Sequence, residues 1–213
     1  MAHPKRADHV EAMVDRLRLQ GVNPLVSMDS AGEGAWANAK RAWSIGSRRA
    51  DYQMVLQDDI SFCVDFVRTA EWCAQLRDGA VVSFFLPRKS AEEAVKRGLC
   101  WVETPRFLWA QAVMMPTPLV DRWLEWCVAV DAGEAKGWNR ATELHGDDWR
   151  LQLFLKQEGR KVYVPVPTLV EHEGAESSII GNPNSARRRS RGFIGVNGEG
   201  MRLPLYRLDA VRE

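Results

Sequence analysis

Adjacent pairs of carboxylates are the residues of this sequence best suited to chemistry. Asp58 and Asp59 follow the apolar run at residues 52–56 after one intervening residue, Gln57, and Asp147 and Asp148 open a later helical pattern. Two neighbouring carboxylates repel each other, and a divalent cation or a set of hydrogen-bond donors relieves that repulsion. The pair at Asp58 therefore predicts a metal site, with an Asx turn or a helix N-cap as the structural alternative.

Two further features are candidates for the same chemistry. Asp29 also ends an apolar run, and the small residues at 30–34 that follow would let a ligand approach the backbone closely. His172 has an acidic residue on each side and leaves the last predicted strand. Each has a structural alternative: a plain turn at Asp29, a surface or hydrogen-bonded histidine at 172, and an N-cap with a charged first turn at Asp147 and Asp148.

The elements that must position these residues alternate between helix and strand. Periodic apolar positions predict helices at residues 9–19, 36–45, 66–76, 119–130 and 148–158, and apolar runs predict strands at 24–28, 52–56, 80–86, 107–115 and 162–166. This alternation indicates a mostly parallel α/β sheet covered on both faces. Ligands of such sheets gather at the carboxyl ends of the strands, where Asp29, Asp58 and Asp59 are predicted to lie.

Composition narrows the classes of protein. A chain of 213 residues with 46% hydrophobic residues is expected to form one domain, and its net charge of +1 provides no overall attraction to nucleic acid or membranes. The four scattered cysteines predict reduced core thiols in a cytoplasmic protein, and there is no apolar run long enough to cross a membrane. The absence of a GxxxxGK[ST] loop argues against a nucleoside triphosphatase.

The motifs VLQDDI, HGDDWRLQLFL and PTLVEHEGAESS, preceded by GAWANAKRAW, occur in an order that resembles the GT-A glycosyltransferases, and especially their small bacterial and phage members. The resemblance covers residues 2–195. It implies a single Rossmann-like GT-A domain over residues 1–195, with a mostly parallel central sheet flanked by helices, and a C-terminal tail at 196–213. The family's first strand is expected just before residue 1, so the resemblance implies a displaced start or a trimmed sheet edge.

The resemblance also implies a binding site for a nucleotide-sugar, most simply a UDP-sugar. Asp29 would contact the base or ribose, and Asn38 and Arg41 would lie near the donor. Gln57 stands in the first position of the DxD motif, where the family usually has an acid, and Asp58 follows it.

A metal site is implied as well. Asp59, with Asp58 beside it, would hold a Mn or Mg ion that bridges the two phosphates, and His172 would complete the coordination. Such an ion would stabilise the charge of the departing diphosphate. The acceptor hydroxyl must lose a proton, so we expect Asp148 to be the base and Asp147 the helix cap, with the reverse assignment open. A base on the far side of the anomeric carbon favours inversion.

Two kinds of acceptor are compatible with the sequence. Hydroxymethylated pyrimidines of phage DNA are one acceptor, bound through the basic run at Arg187, Arg188, Arg189 and Arg191 and through an aromatic surface at Trp149 or Trp138. A surface glycan or a small molecule is the alternative acceptor. Other classes also stay open, namely a non-catalytic nucleotide-binding module and a metal-dependent phosphotransferase or nuclease that uses the same acids.

Overall fold

Helices and strands alternate along the chain, and the fold is mixed α/β as predicted. The structure, a computed structural model, describes residues 1–104, 109–135, 147–173, 190 and 193–195. Within them, the helices are α1 (Ala7–Leu19), α2 (Ala35–Ser44), α3 (Phe66–Leu76), α4 (Arg88–Lys96), α5 (Thr117–Asp131) and α6 (Asp147–Gln157), with a 3-10 turn at Pro4–Arg6. The strands are β1 (Tyr52–Leu56), β2 (Ile60–Phe62), β3 (Val81–Ser83), β4 (Trp101–Thr104), β5 (Ala112–Pro116), β6 (Val162–Pro165) and β7 (Val170–His172).

The central sheet is mostly antiparallel, so the prediction of a mostly parallel sheet is wrong. Its strand order over the described residues is β1-β5-β3-β6-β4. β5 runs antiparallel to both β1 and β3, β4 runs antiparallel to β6, and β3 with β6 is the parallel pair. The order of elements along the chain does not determine strand direction. β5 lies between β1 and β3 and runs in the direction opposite to both.

Helices cover both faces of this sheet. On one face α2, α5 and α6 pack together, with Trp123, Phe154 and Met115 in the centre of the packing. On the other face α1 and α3 pack with β2 and β7 around Phe66 and Phe84. Burial of these large side chains is the main favourable contribution to folding.

The pattern of α5 shows how the sequence specifies this packing. Pro118 stands in the first turn, where its missing N–H costs nothing. Leu119, Trp123, Cys127 and Val130 recur every three or four residues, and all are buried. The helix therefore presents a continuous apolar stripe to the sheet.

β2 and β7 form a separate two-stranded antiparallel sheet. Each has three residues, too few for an apolar pattern to predict it from sequence, and neither was expected. The short β2 takes the chain out of the central sheet immediately after β1. The turn between them carries the first carboxylate pair.

The structure also bears on the strand predicted at 24–28 and on the four cysteines. The strand predicted at 24–28 is reduced to one parallel bridge between Met28 and Ala2. Cys63, Cys73 and Cys127 are buried free thiols, as predicted, and Cys100 is half-buried.

None of the helices in the described parts of the chain combines the length and the apolar character needed to cross a membrane.

Candidate functional site

The turn between β1 and β2 brings Asp59 into contact with His172. Pairing of β2 with β7 places Ile60 opposite His172, and the N–H of Glu173 donates to the carbonyl of Asp59 (2.9 Å). Nε2 of His172 lies 3.3 Å from Oδ2 of Asp59, and the histidine is 2% exposed. Two predicted metal ligands that are far apart in the sequence are therefore neighbours in the fold.

Asp58 is held by donors on the other side of the same turn. Nη1 of Arg6 lies 2.5 Å from Oδ1 of Asp58, and the backbone N–H of His3 donates to Oδ2 (2.6 Å). The same guanidinium nitrogen is 3.8 Å from Oδ2 of Asp59. Arg6 therefore offsets the like-charge repulsion between the two carboxylates, and no pattern in the sequence predicts this contact.

One atom of Asp59 has no such partner. Its Oδ1 is buried and accepts no hydrogen bond from the residues that the structure describes. A buried carboxylate oxygen without a donor is costly unless water or a cation fills that role. Oδ1 of Asp59 is therefore the acceptor atom of this turn best suited to an added ligand.

Asp147 approaches the turn from the start of α6. The side chain of Gln57 hydrogen-bonds to Asp147, and both residues line a small cavity of about 10 Å³ together with Met1 and Ala110. Desolvation raises the pKa of the Asp147 carboxyl to about 6, and the charge of Asp59 also raises it. Asp147 is thus electrostatically linked to the first carboxylate pair.

Asp148 has a different environment one residue further on. Its Oδ1 accepts a hydrogen bond from the backbone N–H of Ala110 (3.2 Å), just before β5 begins. This contact ties the start of α6 to the central sheet. The neighbouring Trp149 is 45% exposed, so its ring is accessible to solvent.

The amino group of Met1 lies close to the same acids. It donates to the carbonyl of Leu56 at the end of β1 (2.8 Å). Burial lowers the pKa of this amine, whereas the charges of Asp58 and Asp147 act to raise it. We define the acidic cluster as Asp58, Asp59, Asp147 and His172, with Arg6, Gln57 and the Met1 amine as its polar and basic surroundings.

The residues predicted to bind the donor form a second group. The side chain of Asn38 donates to the carbonyl of Ala2 (2.9 Å) and accepts from Ser27 (2.6 Å). Arg41 donates to the carbonyl of Met28 (3.2 Å) and to Ser27 (3.2 Å). These contacts hold α2 against the segment that precedes Asp29.

Asp29 organises the loop that follows it. Its two carboxylate oxygens accept from the N–H groups of Glu33 (2.8 Å) and Gly34 (3.0 Å). Gly34 has φ 91°, a conformation that favours glycine, and α2 begins directly after it. Asp29, Asn38 and Arg41 therefore have structural contacts, and their contact with a nucleotide stays a prediction.

No family model matches the chain, and no curated protein matches it significantly. The arrangement of its own side chains is therefore the basis for inferring its function. Within the described residues, no three His, Cys, Asp or Glu side chains are placed to hold a metal ion together. Asp59 and His172 fit as two protein ligands, because Oδ1 of Asp59 lacks a donor and His172 is adjacent. Asp58 fits less well because Arg6 and His3 already engage both of its oxygens.

Several predicted residues lie outside the part of the chain that the structure describes. They are Trp138, the four arginines of the basic run, and the predicted tail at 196–213. Ser190, within the basic run, is described and buried, and it contacts Thr168 (2.9 Å) and Glu171 (2.8 Å).

The raised pKa of Asp147 predicts a pH-dependent stability. Because its pKa is 3.8 in the unfolded chain and about 6 in the fold, the folded state binds the proton more tightly, and this group lowers stability as pH rises through that interval. Asp147→Asn removes the charge, so we expect it to stabilise the protein by about 2–3 kcal/mol at neutral pH and by much less near pH 4. Urea unfolding of both proteins between pH 4 and pH 7 measures the difference in their free energies of unfolding. A difference that stays the same at every pH would contradict the prediction.

Proposed function

We propose that the chain is a metal-dependent glycosyltransferase of the GT-A type, which transfers a sugar from a nucleotide-sugar, most simply a UDP-sugar, to an acceptor hydroxyl. The observation that carries the proposal is the convergence of Asp59, His172 and Asp147 beside the carboxyl end of β1. These residues come from three separate motifs of the resemblance. Their meeting at one place supports a common function.

The metal would be held by Asp59 and His172. A carboxylate oxygen and one imidazole are compatible with Mn, and the carboxylate alone suits Mg. Bound there, the ion would stabilise the developing negative charge of the diphosphate leaving group. Asp58 and Arg6 would then position the turn, since their ion pair holds the backbone that carries Asp59.

The geometry favours Asp147 over Asp148 as the proton acceptor. A pKa of about 6 keeps Asp147 mostly ionised at neutral pH while making it a stronger base than an ordinary aspartate. Its hydrogen bond with Gln57 and its interaction with the charge of Asp59 support a role beside the proposed donor site. Asp148 instead accepts from the backbone of Ala110, which suits a positioning role. The acceptor hydroxyl proton would pass to Asp147 as the oxygen bonds to the anomeric carbon, and the reaction would invert configuration.

Release of free nucleoside diphosphate from a panel of nucleotide-sugars tests this function. We expect release that requires Mn or Mg, stops with a chelator and is lost in Asp59→Asn. Binding of a nucleotide-sugar without any turnover, with and without acceptors, would favour the non-catalytic nucleotide-binding module. Metal-dependent cleavage of nucleic acid or transfer of phosphate, without sugar release, would favour the nuclease or phosphotransferase.

The proposed acceptor is hydroxymethylated pyrimidine DNA. Exposed Trp149, two residues after Asp147 in α6, offers a surface on which an extruded base could stack. We therefore expect Trp149→Ala to reduce transfer to this DNA by about tenfold, since stacking on one aromatic ring contributes about 1–3 kcal/mol. Donor hydrolysis without acceptor should be unchanged.

Transfer of labelled sugar to hydroxymethylcytosine or hydroxymethyluracil DNA across a salt series measures this effect, because phosphate contacts weaken as salt rises. Transfer to a saccharide or small molecule, with none to either DNA at low salt, would replace the acceptor and leave the glycosyltransferase proposal standing.

A further inference from the structure

An open apolar groove runs along the free edge of β1. It has a volume of about 930 Å³ and lies between the segment at residues 24–28 and the strand itself. Its walls are mainly apolar, and the apolar lining includes Met13 and Leu17 of α1, Ile45 after α2, and Phe66, Val67 and Ala70 of α3. A groove of this size along an unpaired strand is unusual for a folded core, where side chains normally pack closely.

The edge of β1 that faces the groove has free backbone groups. N–H of Gln57 donates to the carbonyl of Gln111 and N–H of Thr117 to that of Asp51 (both 2.8 Å), so the odd-numbered residues pair with β5. Backbone groups alternate sides along a strand, and those of Tyr52, Met54 and Leu56 therefore point away from β5. At this edge the carbonyl of Leu56 accepts from the amine of Met1, and Tyr52 and Met54 have no backbone partner among the described residues.

The opposite wall of the groove, at residues 24–28, and Asp29 directly after it pair with Ala2 through two backbone hydrogen bonds. N–H of Ala2 donates to the carbonyl of Ser27 (2.8 Å), and N–H of Asp29 donates to the carbonyl of Ala2 (2.9 Å). This is the parallel bridge to Met28. Since Ala2 bonds to this wall while Met1 bonds to Leu56, the groove is one strand wide at this end.

We propose that the groove takes an additional β-strand of about four apolar residues, covalently joined to the amino group of Met1 and parallel to residues 24–28. The length follows from β1, which has five residues, of which Leu56 is already bonded to Met1. The strand is apolar along its whole length, because α1 and α3 cover one side of the groove and α2 the other, and strands buried on both faces have near-continuous apolar sequences.

Three observations favour this occupant over others. Residues 1–2 already occupy the end of the slot in the required direction, so a preceding residue continues into it. Leu25 is 66% exposed and Val26 45% exposed beside the unpaired edge, and an added strand buries both. Joining Met1 to a further residue also turns a buried amine into an amide that keeps the hydrogen bond to Leu56. A second copy of the chain fits poorly, because a slot one strand wide does not admit a strand that is flanked by its own sheet.

The test extends the full chain at its amino end. One version adds Val-Ile-Val-Ile directly before Met1, and its matched control adds Gly-Ser-Gly-Ser; both have the same soluble tag in front. We expect the apolar extension to raise Tm by about 5 °C or more over the control. It should also slow hydrogen exchange at the amides of Ser27 and Met54 at least tenfold. Adding Leu25→Asp to both versions should abolish most of this gain, while changing the Tm of the unextended chain little because Leu25 is mostly exposed.

Equal Tm values and equal exchange for the two extensions would overturn the proposal. A dimer of the unextended chain that protects the same amides from hydrogen exchange, and loses this protection on dilution, would also overturn it. That result would assign the groove to a second copy of the chain. Equal protection by the free tetrapeptide would assign it to a separate partner. None of these readouts involves a nucleotide-sugar, so their outcome is independent of the proposed function.

Discussion

Asp59→Asn is expected to lower the turnover of nucleotide-sugar by about 10²–10³-fold, since removing one charge-stabilising group in an active site typically has an effect of this size. The amide cannot supply an anionic oxygen to a metal, although its shape is nearly the same. The fold should persist, because Asp59 has a partnerless oxygen and its replacement also removes repulsion from Asp58. Initial rates at saturating Mn, with circular dichroism and a urea unfolding curve for each protein, measure both effects.

Asp58→Asn is the matched control for that change. Asp58 has Arg6 and the N–H of His3 as partners, so its loss leaves the largely buried guanidinium with only the more distant Asp59 carboxylate (3.8 Å) as a counter-charge. We expect a loss of about 1–3 kcal/mol in the free energy of unfolding, with turnover within about tenfold of the unmodified protein. The opposite pattern, in which Asp58 controls turnover and Asp59 controls stability, would exchange the roles assigned to the two residues.

Asp147→Asn is expected to lower turnover by about 10²-fold or more while nucleotide binding persists. The substitution preserves the size of the side chain at the start of α6 but removes the group that would accept the proton. Because the pKa of Asp147 is raised to about 6, the rate of the unmodified protein should fall as pH drops below that value. The acidic limb of the pH–rate profile measures this dependence directly.

Asp148→Asn is the comparison for the base. Its Oδ1 can still accept from the N–H of Ala110, so we expect nearly normal turnover. If Asp148→Asn loses turnover and Asp147→Asn retains it, the base is Asp148. If both retain it, the proton acceptor lies elsewhere in the chain.

Elements with a regular apolar pattern could be predicted from sequence, whereas several short ones could not. The limits of β1 and α3 agree with the prediction to the residue, because both have clear apolar patterns and definite ends. Strand directions could not be predicted, since pairing of β1 with β5 depends on residues some 60 positions apart. α4, β2, β4 and β7 were missed, and the strand expected at 24–28 lacks a neighbour along most of its length.

The sequence pointed to the acids of the candidate site but not to the residues that contact them. The adjacent carboxylates and the flanked histidine marked Asp59 and His172 by residue type alone. Arg6 and the Met1 amine had no such signal, because their importance comes from a long-range contact with the turn after β1. The difference between Asp147 and Asp148 also depends on the fold, since it is the desolvation of Asp147 beside Gln57 that raises its pKa.

Calorimetric titration with UDP tests most directly whether Asp59 and His172 hold a metal ion for a nucleotide diphosphate, as we propose. We expect UDP to bind at least tenfold more tightly with Mn than with a chelator. We also expect this gain to be lost in Asp59→Asn and reduced in His172→Ala, whereas Asp58→Asn should retain most of it. The same UDP affinity with and without Mn in all four proteins would contradict the proposal.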